Sequence, residues 1–214
     1  MKYIKVLGLA AVAALAMMAS TGAGSASGTV LCKVYKTPCP VGQALPDKTV
    51  IDMTLKIGKS VAFLGPGKET VATCTTSTVK GKTTDEGGGE NVPVQGNVEA
   101  LTYETCSSGT IKVLKLGSFE VNYINSAENK TRAVLTSIGA EVTVVEVGSS
   151  CDFGTVSGAT LGILESDEAV GPDLVEEATF PKEEGGFLCP QLIVVKGEYK
   201  ITEPAEIFFK KATA

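Results

Sequence analysis

Six cysteines and 24 acidic side chains are the groups in this sequence best placed to do chemistry, and histidine is absent. Without histidine there can be no Ser-His-Asp triad, no Cys-His nucleophile and no histidine metal ligand. Carboxylate pairs remain open in principle, since glycoside hydrolysis needs only two acids about 5–9 Å apart. Sugar-cleaving clefts, however, are normally lined by aromatic platforms, and this chain has no Trp and only five Tyr. The same scarcity weighs against a sugar-stacking module. The G-x-S-x-G nucleophile elbow is missing as well. These absences lead us to expect a non-catalytic protein without a cofactor.

The acids fall into two clusters. Asp85, Glu86 and Glu90 surround a run of three glycines, and Glu165, Asp167, Glu168 and Asp173 crowd a later loop. Calcium takes six to eight oxygen ligands, so acidic loops of this kind invite comparison with calcium sites. Neither matches the D-x-[DN]-x-[DN]-G loop, and both read as solvated charge with no metal bound. Asn129-Lys130-Thr131 fits a glycosylation acceptor and reads as an ordinary turn.

The cysteines stand at Cys32, Cys39, Cys74, Cys106, Cys151 and Cys189. No C-x-x-C pair occurs, so zinc is disfavoured and disulfides are expected. Six cysteines allow 15 pairings, which sequence alone does not resolve. Spacing makes the local set natural: Cys32–Cys39, Cys74–Cys106 and Cys151–Cys189. Loop-closure entropy would give these about 2.5, 3.7 and 3.9 kcal/mol respectively.

Disulfides need an oxidising compartment, and the N-terminus supplies a route to one. Lys2 and Lys5 precede an uncharged apolar run from Val6 to Met18, and small residues follow from Ala19 to Ser27. That order describes a secretory signal peptide, here residues 1–26, expected to form a helix and to be cut near Ala26. The run is shorter than the roughly 20 residues of a membrane-spanning helix, so no membrane association is expected after cleavage. The 188 residues left would carry 17 basic against 24 acidic side chains, a net charge of −7. With Arg132 as the only arginine, a nucleic-acid partner is disfavoured, because phosphate binding needs clustered cations.

The elements that must position these residues are strands. Ile51, Met53, Leu55 and Ile57 alternate with Asp52, Thr54 and Lys56, the period of a half-buried strand in an antiparallel sheet. Gly58 ends that strand, and residues 60–64 read as its partner. Further strands are expected over 69–80, 97–106, 110–116, 118–124, 132–138, 141–147, 156–164, 174–180, 192–196, 198–202 and 207–210. Glycines mark the turns between them, and no sustained helical period appears. The prediction is an all-β, antiparallel sandwich or barrel-like fold stapled by disulfides. A segment over 27–47 carries Cys32 and Cys39, and a β-domain spans 48–214, with a division into two small sheets near residue 139 left open.

The last third carries a recognisable frame. Cys151-Asp152-Phe153-Gly154, then Cys189-Pro190, then Gly197-Glu198-Tyr199-Lys200-Ile201-Thr202-Glu203-Pro204 fit C-x-[YF]-G … C-P … G-x-Y-x-[IV]-T-x-P. This resembles a group of secreted bacterial proteins of unknown function. The resemblance implies export and a disulfide-linked β-fold, and it transfers no activity. On the residues alone, Gly154 reads as supporting a turn, Pro190 as a strand-edge residue, and Tyr199 as a core aromatic with its hydroxyl at the rim.

The expected role is therefore that of a secreted or envelope-associated structural or adhesive domain with an extracellular partner. The alternative is a binding module for a small ligand, glycan or protein, and a histidine-independent hydrolase ranks third. A concave apolar pocket with converging polar groups would favour the binding module. Non-reducing mass spectrometry of protein recovered from an exporting host should show three disulfides and a start near Ser27. Six free thiols or an intact Met1 would overturn the assignment to an oxidising compartment.

Overall fold

The computed structural model describes residues 28–212 except 90, 91, 128, 129, 147 and 148. The signal-peptide helix expected over residues 1–26 lies outside the described residues. Within them, every regular element is a strand. In chain order these are β1 (Thr29–Cys32), β2 (Val50–Leu55), β3 (Val61–Leu64), β4 (Thr70–Thr83) and β5 (Val94–Cys106). There follow β6 (Thr110–Lys115), β7 (Ser118–Ala127), β8 (Lys130–Ile138), β9 (Glu141–Glu146) and β10 (Ser149–Gly154). The last four are β11 (Ala159–Asp167), β12 (Gly171–Gly185), β13 (Leu192–Glu203) and β14 (Phe208–Lys211).

Antiparallel pairing runs β4-β5-β7-β8-β11-β12-β13, and β13 returns to β4 through β2 and β3. The result is an eight-position barrel, because β2 and β3 occupy one position end to end. Both pair with β13 on one side and with β4 on the other. The expected β2–β3 hairpin is thus corrected. Seven residues separate Thr54 from Val61, yet their partners Thr78 and Cys74 lie only four apart. The surplus residues loop out of the strand, and Lys59 N donates to Lys56 O across that loop. Ile57 sits on it and is fully exposed, although its place in the alternation pointed inward.

Gly197 also differs from expectation. The two segments flanking it form one continuous strand, β13, which bonds β12 along one edge and β2 and β3 along the other. Strands from both sides of residue 139 share the barrel, since β8 pairs with β7 and with β11.

Two additions complete the molecule. The far end of β12 leaves the barrel and pairs with β10, which continues through β9 to β6 as a side sheet. β10 went unrecognised in the sequence because Ser-Ser-Cys-Asp-Phe-Gly shows little alternation. At the barrel end where β7 meets β8, β1 and β14 form a two-stranded cap. Thr29 Oγ1 accepts from Tyr123 N, and Thr131 Oγ1 accepts from Phe209 N, so buried hydroxyls join the cap to the wall. Lys210 of β14 is itself buried; its Nζ lies 4.0 Å from the Tyr35 ring centroid and 3.0 Å from Thr37 Oγ1. The contact is a cation–π interaction that holds the Cys32–Cys39 loop against the cap. Desolvation lowers the Lys210 pKa, with Glu168 opposing.

The three disulfides are Cys32–Cys39, Cys74–Cys106 and Cys151–Cys189. Cys74 and Cys106 face each other directly across the β4–β5 ladder. Cys151 ties β10 to the loop entering β13. Gly154 ends β10 opposite Glu141, and a Cβ there would stand 3.1–3.2 Å from the Glu183 and Glu141 side chains. Close packing therefore replaces the turn expected at Gly154. Pro190 lies in the loop before β13 rather than on a strand edge.

Loop length ranks the staples. Replacing Cys74 and Cys106, or Cys151 and Cys189, by alanine should lower stability by about 3–4 kcal/mol, more than the roughly 2.5 kcal/mol for the Cys32–Cys39 loop. Urea unfolding of the three double variants checks this order, and a Cys32–Cys39 loss larger than both others would contradict it.

Candidate ligand cavity and its buried carboxyl

In a barrel wall, alternate side chains of every strand point into one shared interior. Leu174, Ala178 and Phe180 set the phase of β12, and that phase puts Glu176 on the inward face. The interior holds a cavity of about 80 Å³, lined almost wholly by aliphatic and aromatic side chains from the barrel, the cap and β9. Glu176, Tyr103 and Tyr199 are the only titratable groups among its described lining residues.

The sheet around Glu176 is cleared of side chains. Its register partners are Gly162 on β11 and Gly197 on β13, so both neighbouring inward positions lack a Cβ. A Cβ at Gly197 would lie 3.3 Å from Glu176 Oε2 and 2.9 Å from Tyr199 Cε2. At Gly162 it would come within 2.3 Å of the Val175 carbonyl oxygen, which a side chain could not tolerate. Gly197 gives the carboxyl and the Tyr199 ring their room, while Gly162 lets β11 lie close against the β12 backbone.

Polar groups converge on this notch. Tyr199 is a core aromatic, as expected, but its hydroxyl is inside the barrel and not at the rim. It shares a buried 2.9 Å hydrogen bond with Ser77 Oγ of β4. Tyr103, paired in register with Ser77, packs edge-on against Phe63 at 5.1 Å. Glu176 keeps some accessible surface, yet its Oε2 is enclosed and has no hydrogen-bond partner among the described residues.

Electrostatics follow from that enclosure. Burial pushes the Glu176 carboxyl up to about 7, and the neighbouring Tyr199 hydroxyl, which favours the ionised form, offsets only part of this. Burial also raises both phenols, Tyr103 and Tyr199, with the Glu176 charge adding to it, so each remains neutral. The cavity therefore presents one carboxyl able to change charge near neutrality, two phenol hydroxyls and an apolar wall.

The residues singled out in the sequence are placed elsewhere. Asp85 Oδ1 accepts from Gly87 N and Gln95 N and so organises its own turn. Glu165 and Asp167 pair with Lys130, Glu165 also meets Arg132, and Asp173 pairs with Lys56. Glu90 and Asn129 lie outside the described residues. Among those described, no group of three or more acids or cysteines is arranged to hold a metal. Ser77 and Lys80 have S-x-x-K spacing, but three residues along a strand place them on opposite faces: Ser77 is buried and Lys80 exposed. Glu176 itself was missed. Its signal was an acid at an inward position of an otherwise apolar alternation, legible only once strand 174–180 is phased.

An acid whose pKa is raised on folding binds its proton more tightly in the native state. Stability is therefore fully present below the unfolded value near 4.5 and is lost as pH rises through about 7. The loss is about 3 kcal/mol on the scale of roughly 1.4 kcal/mol per unit. Glu176→Gln should abolish this component, so the stability difference between variant and wild type should widen from pH 5 to pH 8. Parallel stability–pH curves for the two proteins would contradict the assignment.

No protein-family model, curated protein or solved structure matches the chain.

Proposed function

We propose that this protein is an exported, non-catalytic β-barrel that binds one small, largely apolar molecule in its interior. The observation that carries the reading is the Glu176 notch: an apolar cavity in which a carboxyl and two phenols converge. Small-ligand sites combine apolar walls with a few placed polar groups in this way, and an eight-stranded barrel has room for one small ligand. A purely structural domain gains nothing from a buried carboxyl, which costs stability at neutral pH. That cost moves the binding module ahead of the structural or adhesive role. Three disulfides and the Lys2–Ser27 leader support export, and the C-x-[YF]-G … C-P … G-x-Y frame is read as framework for the barrel.

The volume limits the ligand to a few non-hydrogen atoms, or to the end of a longer chain. Titrating methyl-labelled protein with n-butanol and with benzene should shift the resonances of Leu135, Val142 and Leu164 saturably, leaving exposed Val41 and Ile57 unmoved. Filling the cavity by Val98→Phe should weaken those shifts at least tenfold. Cavity methyls that stay unperturbed by either probe would overturn the reading.

A further inference from the structure

We propose that the ligand class is a small apolar amine, whose ammonium group is taken by Glu176 while its hydrocarbon body fills the cavity. This inference rests on the binding function proposed above and names the chemistry of that same site.

The geometry carries it in three steps. First, Glu176 Oε2 is enclosed and lacks a hydrogen-bond partner among the described residues, so a strong acceptor stands unused beside the cavity. An unpaired buried polar group is costly, and a donor arriving with the ligand removes that cost. Second, Glu176 itself lines the cavity, so a molecule filling that apolar space meets the carboxyl directly. Third, the donors beside the carboxyl are uncharged: the Tyr199 hydroxyl, which also shares a hydrogen bond with Ser77, and the Tyr103 phenol, so neither offsets a negative charge there.

The charge balance selects an amine over other donors. The groups facing Glu176 are Tyr199 from β13, Tyr103 from β5 and, behind Tyr199, Ser77 from β4; all are uncharged. No Lys or Arg lines the cavity from β2, β7, β8, β11 or β14 among the described residues. An alcohol or amide could satisfy Oε2 but would leave an ionised carboxylate uncompensated in an apolar interior. An ammonium satisfies the hydrogen bond and the charge together, and the rings of Tyr103 and Tyr199 offer it π-faces. The pair needs an ionised carboxyl and a protonated amine, so affinity should peak between the Glu176 pKa near 7 and the amine's own near 10.

Three isosteric probes test this on the full mature protein: n-butylamine, n-butanol and n-pentane, each followed by cavity-methyl shifts at pH 8 and pH 5.5. The amine should bind at least about tenfold more tightly than the alcohol at pH 8, and at least about tenfold more weakly at pH 5.5 than at pH 8. Glu176→Gln should erase the preference for amine over alcohol, and cavity-methyl resonances of the unliganded variant that match wild type show that its cavity is intact. Equal affinity for amine and alcohol, or a preference that survives Glu176→Gln, overturns the amine assignment and leaves the binding function standing. Should the variant fail to fold, the wild-type pH series decides, because an amine affinity unchanged between the two pH values overturns the assignment. Binding of none of the three probes overturns the binding function itself.

Discussion

Closure of the barrel through β13 is the constraint on which the other features depend. This strand bonds β12 along one edge and both β2 and β3 along the other, so it must run unbroken past Gly197. An interruption there would open the wall and release the interior to water. Because it is continuous, every inward side chain shares a single enclosed space, and the identity of one residue, Glu176, sets the polarity of that space. Had Gly197 carried a side chain, the Tyr199 ring and the Glu176 carboxyl could not both keep their places.

Stability and site are arranged on different parts of the molecule. The disulfides lie at the margins, on the cap loop, at the end of the β4–β5 ladder and beside the side sheet, where they restrain the chain without entering the cavity. Buried aromatic rings such as Phe63, Phe153 and Phe209 contribute about 2–3 kcal/mol each through burial. Against that background the enclosed carboxyl is a tolerable loss. The cap is fastened through charge and hydroxyl groups, Lys210 over Tyr35 and the two buried threonines, so its attachment is directional where the core's packing is not.

Much of the fold was legible in the sequence, and the residues show why. Period-two alternation at Ile51 to Leu55 identified an antiparallel sheet with one wet face, and glycine punctuation located most strands. What failed was the meaning of individual glycines. Gly58 signals a hairpin by local rules, yet the chain there loops out and resumes the same strand, because β13 and β4 both extend past the loop and recapture it. Gly197 signals a turn, yet it is a clearing inside a strand. Local chemistry cannot separate these cases, since the β13 pairings with β2 and β3 that decide both join residues more than a hundred apart. The candidate site was hidden for a related reason. Val-Glu-Glu-Ala offers two adjacent acids, and only the inward phase of Leu174, Ala178 and Phe180 shows that Glu176 is the enclosed one and Glu177 the exposed one. The conspicuous acids instead occupy the Asp85 turn and the hairpin end of β11 and β12, where Lys56, Lys130 and Arg132 or backbone donors meet them.

The central claim is that one carboxyl inside the barrel is poised to change charge near neutral pH. Its most direct test is a carbon-detected NMR titration of the glutamate side-chain carboxyls, with the Glu176 signal assigned by its disappearance in Glu176→Gln. The structure predicts a midpoint near 7 for that signal, well separated from the exposed glutamates. A Glu176 midpoint at the ordinary carboxyl value near 4.5 would mean that the group reaches bulk water, and would contradict the account.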